Sequence, residues 1–266
     1  MRGGGLLALL PLLGRSRFGW IAILVIVGLS LVGGLGRIFT GGDETRSARD
    51  PNAPATKTMD AKAQFVGFVL DDAQKTWTAE LSENAESYRN AKLVLFTDAT
   101  NTACGYGRAA TGPFYCPLDE RVYIDLGFYD ELERKLGAGG DFAQAYVIAH
   151  EIGHHVQNVL GTDERVKSDR RGADSASVRL ELQADCYAGV WAKAAEQRNL
   201  LETGDIDEAL GAAAAIGDDR LQKRSGGAVH PETFTHGTSE QRSKWFKRGF
   251  ESGSMNACDT FTSGIL

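Results

Sequence analysis

The sequence predicts an α+β fold, mostly helical, with a small sheet placed ahead of one central helix. Apolar residues recur at three- and four-residue steps over six stretches, the spacing of a helix face turned to a core. Two short runs of aliphatic and aromatic residues, 92–96 (KLVLF) and 121–125 (RVYID), precede the central helical pattern. At 266 residues and 42% hydrophobic, the chain carries enough apolar surface for one substantial core. Its net charge of −6 argues against nucleic acid as a partner.

Phe18 to Leu35 holds no charged residue, a length of about 27 Å as a helix, and Ile38 and Phe39 extend it past Arg37. Residues 18–39 are therefore expected to form one transmembrane anchor after a short cytoplasmic segment, 1–17, with Phe18 and Trp20 at the interface. A cleaved secretory signal, with Arg2, Arg15 and Arg17 as its basic region, is the competing reading. No clear small-x-small site follows the run, and the run exceeds the usual signal core. Charge barely orients the span, since Arg37, Arg46 and Arg49 follow it, diluted by Asp43 and Glu44.

Residues 40–58 are polar and rich in Gly, Pro, Ser, Thr and Asp, as a flexible tether would be. The globular domain is expected over 59–266. Phe65, Phe68, Val69, Ala73 and Trp77 mark its first helix, and 92–96 and 121–125 its strands, with Val122 and Ile124 on one face and Tyr123 on the other. Further helices are expected at 129–136, 141–160, 175–198, 206–221 and 239–251.

The 141–160 helix carries His150-Glu151-Ile152-Gly153-His154. Two imidazoles four residues apart sit about 40° apart around a helix, so both reach one metal ion. Histidine is scarce here, five in the chain, which sets the pentapeptide apart from a chance surface pattern. Gly153, a poor helix former, implies that something packs close to that turn. Zinc held in this way brings bound water toward a pKa of about 7, and Glu151 stands where it can take that proton. The implied chemistry is peptide-bond hydrolysis.

A catalytic zinc takes three protein ligands and keeps one open position. Glu181 and Asp185 share a helix face downstream, so Glu181 is expected as third ligand and Asp185 as acceptor for the free N–H of a ligand histidine. Asp174 and His236 are lesser candidates for the ligand. Small Ala184, Ala188 and Gly189 let this helix approach the first closely. His155 lies about 100° off the metal face and reads as packing or outer support, and His230, before Pro231, receives no role. An edge strand beside such a helix often binds substrate by adding a strand, and Val122–Asp125 is the candidate here, a purely structural strand being the alternative.

Cys104, Cys116, Cys186 and Cys258 include no CxxC pair, which disfavours a cysteine metal or redox site. An even number fits disulfides in an oxidising compartment. Three pairings exist in principle, the simplest joining Cys104 to Cys116 and Cys186 to Cys258. Together with the anchor, this places the catalytic part outside the cytoplasm, on a single-pass protein of the cell membrane.

The blocks ACGYG, GPFYCPLDERVYIDLGFYDEL, GDFAQAYVIAHEIGHHVQNVLG, LELQADCYAGVWA and FTHGTSEQRSKWF resemble those of the bacterial neutral zinc metallopeptidases, the YpfJ-like proteins. The resemblance runs from about Phe65 to Phe250 and implies a zincin-like domain on a single-pass membrane protein that acts on peptides or proteins. More widely, HExxH followed by ExxxD and a Thr-His element with a later Arg is similar to gluzincin-type membrane proteases. That resemblance implies Zn2+ on His150, His154 and Glu181, Asp185 behind a ligand, His236 at the substrate oxyanion and Arg242 bracing Asp185 or the substrate. The chain departs from the wider group in its single span and in Gly237, where Pro is common, which leaves His236 open to a buried capping role and Arg242 to a surface one. Two other functions fit the motif: a metal-binding but inactive interaction domain, against which the intact Glu151 speaks, and a zinc amidohydrolase on non-peptide substrates.

Overall fold

The computed structural model describes residues 54–166 and 169–261. The segment 1–17, the expected span 18–39 and most of the expected tether lie outside the described residues. Among the described residues no helix is long and apolar enough to cross a membrane. The fold is α+β and mostly helical, as the periodicities predict, with two small sheets where one was expected.

Helix α1, Pro54–Glu83, begins inside the stretch expected as tether, its first residue a proline whose fixed φ suits a first turn. Val66, Val69, Leu70, Ala73, Trp77 and Leu81 form its buried face, while Phe68, expected inward, is 57% exposed because the face starts one residue later, at Val66. Asp72 on this face accepts from Trp191 Nε1 at 2.9 Å and Arg198 Nη2 at 2.6 Å, tying α1 to a later helix.

The strands are β1 Lys92–Phe96, β2 Ala99–Thr102, β3 Gly105–Arg108, β4 Phe114–Cys116 and β5 Arg121–Asp125. β2 and β3 make an antiparallel hairpin, Thr102 opposite Gly105. The other sheet has the order β1-β5-β4, with β1 parallel to β5 and β4 antiparallel to it, Phe114 opposite Tyr123. This overturns the expectation of Val122–Asp125 as a substrate edge. Both sides of β5 are taken by neighbouring strands, and Val122, Tyr123, Ile124 and Asp125 are buried. The edge on that side belongs to β4.

The helices continue with α2 Phe128–Leu136, α3 Asp141–Val159, α4 Ala176–Gln197, α5 Asp205–Ala215, α6 Asp218–Arg224 and α7 Ser239–Ser252. Ser175 caps α4 by accepting from Val178 N, and Thr238 with Gln241 forms a capping box on α7. Glu208 of α5 accepts from Phe142 N at 3.1 Å and so closes the start of α3. The single helix expected over 206–221 is two, α5 and α6. At the break, Gly217 lies against the backbone of Ser239, where any Cβ would collide, and Ser239 Oγ donates to Ala214 O at 2.6 Å.

α3 runs through the core, buried along nearly its whole length. It crosses α4 where Gly153 faces Ala184: a Cβ at Gly153 would sit 2.9 Å from Ala184 O, so the backbones meet without side chains between them. Gly189, expected at this crossing, faces α7 instead. It meets the Phe246 carbonyl while Gly249 meets that of Cys186.

Candidate metal centre

The α3–α4 crossing sets the site. Tyr146, His150 and His154 follow one another at four-residue steps along α3, and Glu181 and Asp185 do so along α4, so two rows of side chains face each other. His150 Nε2 lies 3.2 Å from Glu181 Oε2, and His154 Nε2 lies 3.5 Å from Glu181 Oε1. Donor atoms of these three residues all fall within 4.8 Å of one another. Tetrahedral zinc with bonds of about 2.0–2.1 Å sets neighbouring donors about 3.3 Å apart, so the group fits that ion. Glu151, buried, lines the same cavity beside the three donors.

Each imidazole is held from behind through Nδ1, which turns Nε2 toward Glu181. His150 Nδ1 meets Asp185 Oδ1 at 2.8 Å. His154 Nδ1 meets Gln157 Oε1, also at 2.8 Å. Asp185, with no exposed surface, also accepts from Tyr146 OH at 2.5 Å and from Arg242, whose Nε and Nη2 reach its two oxygens at 2.8 and 2.9 Å. Arg242 is 2% exposed, so the surface reading of this residue falls and its brace on Asp185 stands. Tyr146 and Gln157 were not picked out by sequence reasoning. Their only signal is position, one turn before His150 and three residues after His154.

The electrostatics suit a cation. Glu181 and Asp185 bring two carboxylates against the one guanidinium of Arg242, with Glu151 a third acid in the same cavity. Burial works against the charged form of Glu181, but His154, His236 and His150 outweigh it and hold its carboxyl well below the ordinary range. Burial likewise lowers His150, yet Asp185 and Glu181 reverse this and raise it to about 9. A divalent ion can take the place of the protons these groups attract. For Glu151, burial dominates and holds the carboxyl above its usual value, against the pull of His154 and His150.

His236 lines the cavity from the segment before α7, about half exposed rather than buried, so the capping role falls. Its backbone N donates to Asp218 Oδ2 at 2.7 Å and its Nδ1 lies 3.3 Å from Asp218 Oδ1. Glu181 first, then Asp218, raise its pKa. Neither His236 nor Asp174, the two lesser candidates for third ligand, joins the donor group, and Asp174 is exposed before the α4 cap. His155 points away from the donors, buried between Arg89 O at 2.5 Å and Tyr115 OH at 2.8 Å, while His230 is exposed beside Glu232.

The cavity is about 610 Å³. Phe114, Phe128, Val147, Leu180 and Ile216 give it apolar walls, and β4 forms one rim. Both disulfides follow the simplest pairing: Cys104–Cys116 joins the turn after β2 to β4, and Cys186–Cys258 joins α4 to the segment after α7.

Residues 1–261 match the family described as "Putative neutral zinc metallopeptidase". The chain is 53% identical over 211 residues to the uncharacterized protein YpfJ of Escherichia coli K12, covering 77% of this chain and 74% of that one. It is 46% identical over 190 residues to the uncharacterized protein Rv2575 of Mycobacterium tuberculosis H37Rv, covering 67% and 65%. No solved structure matches it. Because the family match spans nearly the whole chain, the protein belongs to the neutral zinc metallopeptidase family.

Proposed function

We propose that the protein is a membrane-anchored zinc endopeptidase acting outside the cytoplasm. The observation that carries this reading is the meeting of His150, His154 and Glu181 in one cavity with Glu151 beside them. A zinc ion on these donors supplies an acidified water and a Lewis acid for the substrate carbonyl. Glu151 accepts the proton of the attacking water and passes it to the departing amine nitrogen. His236, its Nδ1 engaged by Asp218, has Nε2 left to donate to the carbonyl oxygen as charge develops there. Arg242 acts through Asp185 and does not touch substrate.

The rim of the cavity supports a peptide chain as substrate. β4 has a free edge among the described residues, and an extended peptide pairs with such an edge through main-chain hydrogen bonds. Pro113 and Pro117 bracket it and donate nothing, which confines pairing to Phe114–Cys116. The Lys and Arg side chains lining the cavity are engaged, Lys135 by Glu131 at 2.7 Å and Arg242 by Asp185, so a free C-terminal carboxylate finds no unpaired Lys or Arg there, which favours a segment over the carboxyl end of a chain. Two disulfides and the uncharged run at 18–35 support an anchored, extracytoplasmic domain.

The test uses the full chain in detergent: zinc content, then digestion of a broad peptide library with and without chelator. One zinc per chain and chelator-sensitive cleavage are expected. E181A should lose the metal, while E151Q should keep it and lose about 10²–10⁴ in rate. If the zinc-loaded protein cuts no peptide, and E151Q fully restores whatever a gene deletion disturbs, the tethered interaction domain replaces the enzyme. Cleavage confined to non-peptide amides selects the amidohydrolase.

A further inference from the structure

The two metal-facing histidines are supported differently. Asp185, a carboxylate on the neighbouring helix, backs His150, whereas a neutral amide on its own helix, Gln157, backs His154. An amide can face either way, so what orients it decides which nitrogen of His154 carries the proton.

The orientation follows from a chain of contacts that starts at a backbone carbonyl. Cys258 O can only accept, so Gln183 Nε2 donates to it at 3.1 Å. That leaves Gln183 Oε1 to accept from Gln157 Nε2, also at 3.1 Å. Gln157 Nε2 has a second acceptor, Leu180 O, at 2.7 Å. Its Oε1 is thereby left facing His154 Nδ1 at 2.8 Å. Gln157 has no exposed surface and Gln183 is 6% exposed, so solvent does not substitute for these partners. Turning the Gln157 amide over would set its oxygen against Leu180 O and against Gln183 Oε1, acceptor against acceptor.

We infer that Gln157 is the positioning residue for His154: it fixes the imidazole as the Nδ1–H tautomer and keeps the Nε2 lone pair for a metal ion. The inference rests on the zinc reading above. Its origin lies at Cys258, so the bridge from Cys186 to Cys258 anchors the far end of the relay. Loss of an outer hydrogen-bond partner commonly weakens a metal site about 10–100-fold.

Two readouts test it on the full chain. In the wild type without added metal, long-range 1H–15N spectra taken at a pH alkaline enough to leave one proton on the His154 ring should find it on Nδ1, and that single proton on Nε2 overturns the inference. Zinc titration against a competing chelator then compares wild type with Q157M, which fills the space without an acceptor, and the tautomer is read again in Q157E, which keeps an acceptor for Nδ1–H but sets its second oxygen against Leu180 O and Gln183 Oε1. Q157M should bind zinc about 10–100-fold more weakly and show mixed His154 tautomers, while Q157E keeps the Nδ1–H tautomer. Wild-type affinity with a single Nδ1–H tautomer in Q157M overturns the inference, as do mixed tautomers in both variants, which would mark Gln157 as packing. A wild type that takes up no zinc removes the proposed function, while the tautomer still decides the role of Gln157.

Discussion

Arg242 is the residue whose loss the interior tolerates least. Its guanidinium spans both oxygens of Asp185, and both side chains are buried. Replacing one partner of such a pair leaves the other charge in a dry interior, at a cost of about 3–5 kcal/mol. R242M should therefore lower unfolding stability by that order in urea titration. D185N/R242M should recover part of the loss, since neither charge remains, and a double variant no better than R242M would show that the pair is not what holds the site. HExxH and ExxxD are legible in sequence because spacing alone puts their members on common helix faces. Tyr146 and Gln157 are not: a tyrosine or glutamine on a helix is ordinary, and only the crossing helix supplies the acceptors that give them work.

The α3–α4 crossing is the element on which the donor geometry depends, with Gly153 touching Ala184 one turn from Glu181. G153A improves helix propensity by up to about 1 kcal/mol, yet its methyl would sit 2.9 Å from a backbone oxygen that cannot turn aside. A net loss of about 1–3 kcal/mol is expected, seen as a lower melting temperature, with weaker zinc binding as Glu181 is pushed away. A G153A protein more stable than wild type would show that the contact is loose. Gly153 announced this contact in the sequence by breaking the helical preference around it. β2, β3 and β4 announced nothing. ATNT and GYGR have no alternation of apolar residues, and β4 is three residues long, so β2 and β3 are defined by pairing with each other and β4 by pairing to β5 and by its disulfide, rather than by local preference. The break at Gly217 was hidden for a similar reason, because it is imposed by the start of α7.

Across the whole molecule the cysteine bridges close loops of very different length, 12 and 72 residues in separation. Loop entropy assigns them about 3 and 4 kcal/mol. Labelling of the denatured, unreduced chain should find no thiol, and reduction should lower the unfolding midpoint. Four reactive thiols would place the domain in a reducing compartment. The longer bridge bears on the order in which the chain is made. The three donors exist once Glu181 has been synthesised, but Arg242 comes 57 residues after the carboxylate it neutralises, and Cys258 later still. A nascent chain halted between them holds Asp185 without its counter-charge and Gln183 without its carbonyl. Because domains fold while the chain is still emerging, the donors are present before the side chains that hold them. On the proposed reading, working geometry at the metal therefore waits for α7 and Cys258 rather than for the helix that carries the two histidines.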